Sequence, residues 1–397
     1  GSSSFLEDDD LDEDTNKRKN ALTKKLTKAQ KAQNAAKTRA RKLKTKTYRD
    51  AVLNWAESTL AIPPNPKDTE ASLWNTDPWL LACTNGVLDL RTGELTAGDP
   101  QDYISNQIPT NYNPQAPSER FQRFMLQIMD QDAEIVSYLQ RLLGYSLTGS
   151  HHEHVLPILY GADGRNGKDT LLATMSKVLG MRISRPVAHE VVIQSGTLNG
   201  GGPSPHLADL QGIRQAWVSE TSDRSQINAN QVKLLTGGGQ ITARRLYENL
   251  IIFDATHTVF LLTNHKPQIP NGGDKALWSR LRLIEFKQRF LAADDPDYNP
   301  DNPHHHLAEK GLSDTLASEA EGILAWLVRG CITWWNGGTP DLQTPESVKL
   351  ATTEYAKEED TLQQFLDECC VVVPQEWFPT DYKKAMDTLD IMITSSS

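Results

Sequence analysis

The stretch VLPILYGADGRNGKDTLL, residues 155–172, constrains the fold more than any other part of the chain. An apolar run ending at Tyr160 leads into a loop holding Gly161, Gly164 and Gly167. Lys168 follows, and then a helically spaced set, Leu171, Leu172, Met175, Val178 and Leu179, closed by Gly180. A strand aimed into a glycine-rich loop that opens a helix gathers backbone N–H groups and the positive end of a helix dipole at one point, which makes a cradle for phosphate. Gly164 and Gly167 supply the backbone freedom such a loop needs, and Gly180 suits the helix end. Lys168 is placed to reach β and γ phosphates, and Arg165, Asn166 and Thr170 complete the candidate nucleotide-binding loop.

Two departures from the usual phosphate-loop pattern stand out. Gly161 lies seven residues before Lys168, where six is standard, and Asp169 occupies the place of a serine or threonine hydroxyl. A carboxylate about 4 Å from a triphosphate costs roughly 1 to 4 kcal/mol unless a cation lies between them. Mg²⁺ accepts carboxylate ligands readily, so Asp169 is expected to hold the metal directly or through water, with Thr170 as a substitute hydroxyl.

Further apolar runs follow at 213–220 (IRQAWVSE), 258–264 (TVFLLTN) and 281–286 (LRLIEF). Runs this apolar suit strands buried on both faces, as in a parallel sheet with helical crossovers. An ATPase needs a carboxylate to orient water, a polar group near the γ phosphate and usually an arginine for the transition-state charge. Glu220, followed by Thr221 and Asp223, ends one run, Asn264 ends the next, and Arg280 and Arg282 bracket the start of the last. The segment ITARRLYENLIIF, 241–253, reads as a hairpin that would project Arg244 and Arg245 from a strand or its tip. Residues 79–108 read as small strands and turns, and 119–147 has helical spacing.

At 397 residues the chain is long enough for two or three domains. Its net charge of -10 conceals a sharp division, because residues 7–14 hold seven acids while residues 16–49 hold fourteen Lys and Arg and no acid. The basic partner surface is therefore local. Lys, Ala, Gln and Leu dominate from Thr15 to about Leu60, and no Gly or Pro occurs before Pro63, which predicts one long helix. Its apolar stripe is narrow, so the alternative is a solvated charged tail. Cys83, Cys331, Cys369 and Cys370 show no CxxC spacing, which argues against a disulfide framework or zinc site and fits a reducing, cytoplasmic setting. No apolar run reaches the roughly 18 residues of a membrane span. His304 to His306 read as a solvated loop. The terminal GSSS and SSS are set aside, and the natural chain is expected to be longer.

As a set, NGVLDLRTGEL (85–95), GRNGKDTLL (164–172), GGPSPHLADLQGIRQAWVSET (201–221), KLLTGGGQITARRLY (233–247), LLTNHKP (261–267) and ALWSRLRLIEF (276–286) resemble the helicase portion of phage- and plasmid-type primases. These belong to superfamily 3 of the AAA+ helicases, which includes the poxvirus primase-helicases. The resemblance implies an α/β fold: an AAA+ P-loop core with a parallel sheet, between a mainly helical N-terminal region and a helical C-terminal region. The expected divisions are a basic segment 1–60, a helicase-associated domain 61–150, the ATPase domain 151–290 and a helical region 291–397. It further implies that Lys168 binds phosphate, that Glu220 is the catalytic acid and a metal-site carboxylate, that Asn264 is the sensor, and that Arg280 is an arginine finger for a neighbouring subunit's ATP. The family usually has GKS or GKT, and Ser219 precedes Glu220 where a second acid could stand, so Asp169 is the compensating carboxylate.

In superfamily 3 a hairpin between the second nucleotide motif and the sensor lines the central channel. Lys233, Arg244 and Arg245 are the candidates for DNA phosphate contact, with structural salt bridges as the alternative. The expectation is an ATP- and Mg²⁺-dependent DNA helicase, a homo-hexameric ring on single-stranded or forked DNA, with an upstream primase-polymerase domain outside the chain. The rivals are a nucleotide-dependent DNA-binding or loading ring with little hydrolysis, and a duplex translocase that separates no strands.

Overall fold

The computed structural model describes residues 8–43, 45–59, 74–194, 203–219, 225–272, 274–360, 364–366 and 369. They fall into two compact units divided between Leu73 and Trp74. The first holds helices α1 (Asp8–Leu43) and α2 (Lys46–Thr59). The expected single helix is thus broken near Thr45, whose hydroxyl donates to the Lys42 carbonyl at 2.7 Å while its own carbonyl accepts from the Arg49 N–H at 3.1 Å. A threonine that bonds its own backbone in this way competes with helix continuation.

The second unit opens with an antiparallel meander, β1 (Leu80–Cys83), β2 (Gly86–Asp89) and β3 (Glu94–Thr96). The helical pattern over 119–147 resolves into α3 (Glu119–Ile128) and α4 (Ala133–Tyr145). Asp130 and Gln131 turn left-handed between them, and Asp132 caps α4 by accepting from Glu134 and Ile135 N–H.

Next come β4 (Leu156–Tyr160), α5 (Lys168–Leu179), β5 (Ser184–Val187), α6 (Pro205–Ala208), β6 (Gln215–Ser219), α7 (Ala229–Thr236), the hairpin β7 (Gln240–Arg244) and β8 (Leu250–Asp254), β9 (Thr258–Thr263), α8 (Lys275–Trp278) and β10 (Leu281–Glu285). Strands β4, β5, β6, β9 and β10 form one parallel sheet in the order β10-β4-β9-β6-β5. The apolar runs read from the sequence are its three inner strands, β4, β6 and β9, and the edge strand β10. A two-stranded ribbon of β11 (Arg289–Leu291) and β12 (His305–Leu307) follows, then α9 (Leu312–Ser318), α10 (Ala320–Trp335) and α11 (Glu346–Glu359).

Alternation along the strands divides the core. Leu159, Trp217, Phe260, Leu262 and Ile284 face α3, α4, α5 and α10. Leu156, Ile158, Val218, Leu261 and Leu283 face the hairpin, α7 and α11. The first core includes Leu81 and Leu88 of the meander as well as Leu324 and Leu327 of α10, so it runs across both expected boundaries, at 150 and at 290. Glycines let α10 lie directly on α4: a Cβ at Gly330 would stand 2.0 Å from the Gln140 carbonyl oxygen, and one at Gly144 would stand 2.2 Å from the Cys331 nitrogen. Buried Arg214 ties the meander to the sheet by donating to the Leu80 and Leu147 carbonyls at 2.7 and 2.6 Å. Among the described residues no helix is long and apolar enough to cross a membrane.

Candidate nucleotide-binding site

The loop from Gly161 to Gly167 joins the carboxyl end of β4 to the first turn of α5. Gly164, Arg165 and Gly167 all take positive φ, at 69°, 54° and 86°. At Gly167 a side chain would be strained and would meet Ile128 Cγ2 at 2.6 Å. Among the described residues, none of the backbone N–H groups from Ala162 to Gly167 is used in a backbone hydrogen bond. The loop is therefore a concave set of donors at a helix N-terminus, which fits phosphate oxygens.

Lys168 is only 5% exposed. Its Nζ donates to the Gly161 carbonyl at 3.2 Å, to Asn166 Oδ1 at 2.7 Å and to Asn264 Oδ1 at 3.0 Å. Burial lowers its pKa to about 8, partly offset by the neighbouring Asp169 carboxylate. A Cβ at position 161 would lie 2.7 Å from this Nζ and 2.5 Å from Asn166 Nδ2, so any larger residue there would have to displace the lysine and Asn166 from these positions. Gly161 is thus useful although it sits one residue early. Asn264 reaches the ammonium because β9 lies beside β4 and ends at the same edge. The loop, its lysine and the asparagine at the end of β9 therefore meet at one nitrogen.

Asp169 is exposed and Thr170 half-buried in the first turn of α5. An acid there is favoured by the helix dipole even without a metal. Among the described residues no three His, Cys, Asp or Glu side chains converge as a metal cluster. A cation held by Asp169 and Thr170 would take its other ligands from phosphate and water, the usual habit of Mg²⁺. Arg165 is ion-paired with Asp295 and lines the cavity beside the loop, and its carbonyl accepts from the Phe290 N–H at 2.8 Å.

A cavity of about 450 Å³ opens beside the loop, lined by Asn166, Gly167, Asp169 and Thr170 on one side. Phe124 and Gln127 of α3, Phe290 and His306 of the ribbon, and Leu312 of α9 lie around it, with the charged Arg120, Arg165 and Glu309 also in its lining. Its size and mostly apolar lining with a few polar groups suit a nucleobase. Sequence reasoning missed these residues, because no local pattern joins segments 120–127, 290–308 and 311–313. It also took His304 to His306 for a solvated loop. The structure instead puts His305 and His306 in a strand, with both His304 and His306 hydrogen-bonded to Gln288.

The remaining candidates lie elsewhere. Arg280 stands at the opposite edge of the sheet, its carbonyl accepting from the N–H of Leu156, the first residue of β4. Five strand residues, roughly 16 Å, separate it from the loop. Its guanidinium donates to Thr236 Oγ1 at 3.0 Å and to the Ala276 carbonyl. Strand β6 ends at Ser219, paired with Leu262 at the loop's edge of the sheet, and Glu220 lies outside the described residues.

Lys233 is ion-paired with Asp274, and Arg245 with Asp209 at 2.7 Å, so both have structural partners. Arg244 closes β7, and its N–H donates to Ser204 Oγ at 3.2 Å. The turn between β7 and β8 instead presents Leu246 and Tyr247, the latter 96% exposed at φ 64°. The sequence held that aromatic in plain view, but attention to basic residues passed over it.

Comparison with known proteins adds a lineage. A family model described as "D5 N terminal like" matches residues 7–130. "Putative helicase L207/L206" of Acanthamoeba polyphaga mimivirus is 30% identical over 324 residues, which cover 79% of this chain and 32% of that protein. "Putative helicase 121R" of Invertebrate iridescent virus 3 is 22% identical, with coverages of 75% and 33%. "Putative primase C962R" of African swine fever virus (isolate Tick/Malawi/Lil 20-1/1983) is 24% identical, with coverages of 76% and 32%. The chain spans about a third of the length of these curated relatives. They are viral, so the expected phage or plasmid source is not supported. The apo structure of the NrS-1 C terminal region overlaps 65% of this chain and 58% of its own at 14% identity and a TM-score of 0.44, too loose a likeness to carry weight. The family match and the viral relatives agree that the chain belongs to the primase-helicases of the D5 type.

Proposed function

We propose that this chain is the motor portion of an ATP-dependent DNA helicase of superfamily 3, acting as a ring of identical subunits, a hexamer by the family's habit, that moves along single-stranded DNA at a fork. The observation that carries the reading is the three-oxygen hold on the Lys168 ammonium. A buried cation held by the loop carbonyl, the loop asparagine and the strand-end asparagine is set to exchange those oxygens for phosphate oxygens. Asn264 then remains beside the phosphates to report their presence.

The backbone donors of 162–167 take the phosphate oxygens, and the cavity flanked by Phe124 and Phe290 takes the base. Mg²⁺, when bound, would offset the phosphate charge, and Asp169 and Thr170 are the residues that would hold it. Glu220 is assigned the orientation of the attacking water. Arg280, on the far edge of its own sheet, serves the ATP of a neighbouring subunit. The hairpin carries Arg244 and Arg245 to the channel, with Lys233 beneath it on α7, and Tyr247 at the tip offers a ring for base stacking.

The buried thiols of Cys83 and Cys331, both raised to about 12 by desolvation, are inert and free, which suits a reducing, cytoplasmic setting. The upstream primase-polymerase domain expected from the resemblance would lie in the length that the relatives have beyond the matched third.

The test is steady-state Mg²⁺-dependent ATP hydrolysis with and without single-stranded DNA, beside Lys168→Ala and Glu220→Gln. Hydrolysis that DNA stimulates, and that each substitution lowers by 100-fold or more, is the expected outcome, by analogy with the loss of a single charge-stabilising group. ATP binding without hydrolysis would instead favour the DNA-loading ring. Stimulation by blunt duplex with no unwinding of a fork would favour the duplex translocase.

A further inference from the structure

We propose that α1 is a second nucleic-acid surface, a basic rod that lies along duplex DNA and contacts its phosphates, separate from the residues assigned to the channel. Between residues 16 and 49 there are fourteen Lys and Arg and no acid, in a chain that is acidic as a whole. Helical geometry organises them. At 3.6 residues per turn, Lys24, Lys28, Lys31, Arg39 and Lys42 fall within a sector of roughly 80° and extend over about 27 Å. All five are exposed.

Other features of the rod select its partner. Leu22 and Leu26 are also exposed, but with Ala29 they make only a narrow apolar strip, too little for a membrane surface or a helical partner. The hydroxyls of Thr23, Thr27 and Thr38 are folded onto the Lys19, Thr23 and Asn34 carbonyls at 2.8, 2.8 and 2.9 Å, which leaves lysine and arginine as the charged groups that reach outward, among neutral Asn20, Gln30, Gln33 and Asn34. Single-strand binding draws on aromatic stacking, and residues 17–42 contain no aromatic. Duplex DNA offers a charge every ~1.7 Å along its axis, and its major groove, about 12 Å wide, admits a helix about 10 to 12 Å across. Charge, length and lack of rings all point to the duplex backbone. None of this depends on the nucleotide site.

The experiment uses the full chain, without nucleotide, with Lys24→Gln, Lys28→Gln and Lys31→Gln combined. Glutamine keeps helix propensity, so the rod persists. Binding to a fluorescent duplex and to a single strand of equal length is followed by anisotropy over a NaCl series. The expected result is weaker duplex binding and a plot of log affinity against log salt whose slope shrinks by about 2 to 3, at ~0.9 per lost phosphate contact. Single-strand binding should change much less, and DNA-independent ATP hydrolysis should not change.

An unchanged duplex slope overturns the proposal, and so does an equal loss on the single strand. Loss of binding to phosphatidylserine vesicles, or of the oligomer, with duplex binding intact would assign the rod to a membrane or to subunit contact instead. Because the DNA, vesicle and oligomer readouts all omit nucleotide, any of these failures leaves the ATP-site reading standing.

Discussion

Lys168 carries the sharpest consequence at the scale of single residues. Burial lowers its pKa from 10.5 to about 8, so the folded chain disfavours the charged form that phosphate requires. Two pH effects of opposite sign follow. The unfolded chain holds the lysine proton up to pH 10.5 and the folded chain only to about 8, so stability rises with pH across that window, and this rise should be missing in Lys168→Met. Affinity for ATP should be flat below about pH 8 and then fall by up to roughly tenfold per pH unit as the ammonium is lost. Calorimetric titration of ATP across that range checks it, with Lys168→Arg, which stays charged, expected to flatten the profile. At Asp169, replacement by serine should shift the Mg²⁺ concentration giving half-maximal hydrolysis; an unchanged Mg²⁺ dependence would remove it from the metal site and leave it as a helix-dipole acid. Asn264 was legible in the sequence because it directly follows an apolar run that had to become a buried strand, and Gly167 and Lys168 because the glycine loop that holds them joins such a run to a helically spaced one. Phe124, Phe290 and His306 were not, because they converge only after α3 and the β11–β12 ribbon fold against α5.

At the scale of elements, what the sequence revealed depended on how apolar each piece is. Strands β4, β6, β9 and β10 are buried on both faces and read as unbroken apolar runs, whereas β5, Ser184–Val187, holds an arginine and a proline at the sheet edge and gave no signal. The two-helix break at 129–132 was hidden because apolar spacing persists on either side of it. The close crossing of α4 and α10 was equally hidden, since Gly144 and Gly330 look like ordinary helix-weakening residues. Their contact distances make a prediction. Gly330→Ala gains helix propensity yet must push α10 off the Gln140 carbonyl, so it should destabilise by about 1 to 3 kcal/mol or more. Thermal unfolding should then show a Tm lowered by several degrees, and a Tm unchanged or raised would mean that the two helices part freely. The hairpin makes the complementary case. Tyr247 is exposed and supports no core, so Tyr247→Ala should leave Tm and basal hydrolysis unchanged while weakening single-strand binding by about 1 to 3 kcal/mol, the usual value of one stacked base.

For the whole molecule, the parallel sheet imposes a polarity that a single subunit cannot overcome. The glycine loop and Asn264 occupy the carboxyl edge of the strands, while Arg280 stands beside the first residue of β4 at the other edge. An arginine so placed cannot reach the phosphates of its own chain, and any role it has in hydrolysis requires a second subunit whose loop edge faces it. Head-to-tail contacts of this kind form rings where the rotation between subunits closes, and open filaments where it does not. Mixing tests this directly. Lys168→Ala subunits lack the phosphate lysine but keep Arg280, and Arg280→Ala subunits have the reverse defect, so each alone should be nearly inactive. In an equal mixture, an intact site forms wherever the intact lysine of one subunit meets the intact arginine of the next. Random assembly makes about a quarter of all sites complete if they act independently. Recovery of hydrolysis towards that fraction, at concentrations where the mixture assembles, would establish that each site is built from two copies of the chain. No recovery, with exchange of subunits shown by fluorescence transfer between labelled copies, would confine Arg280 to its contacts with Thr236 and Ala276 and return it to a structural role at the end of α8.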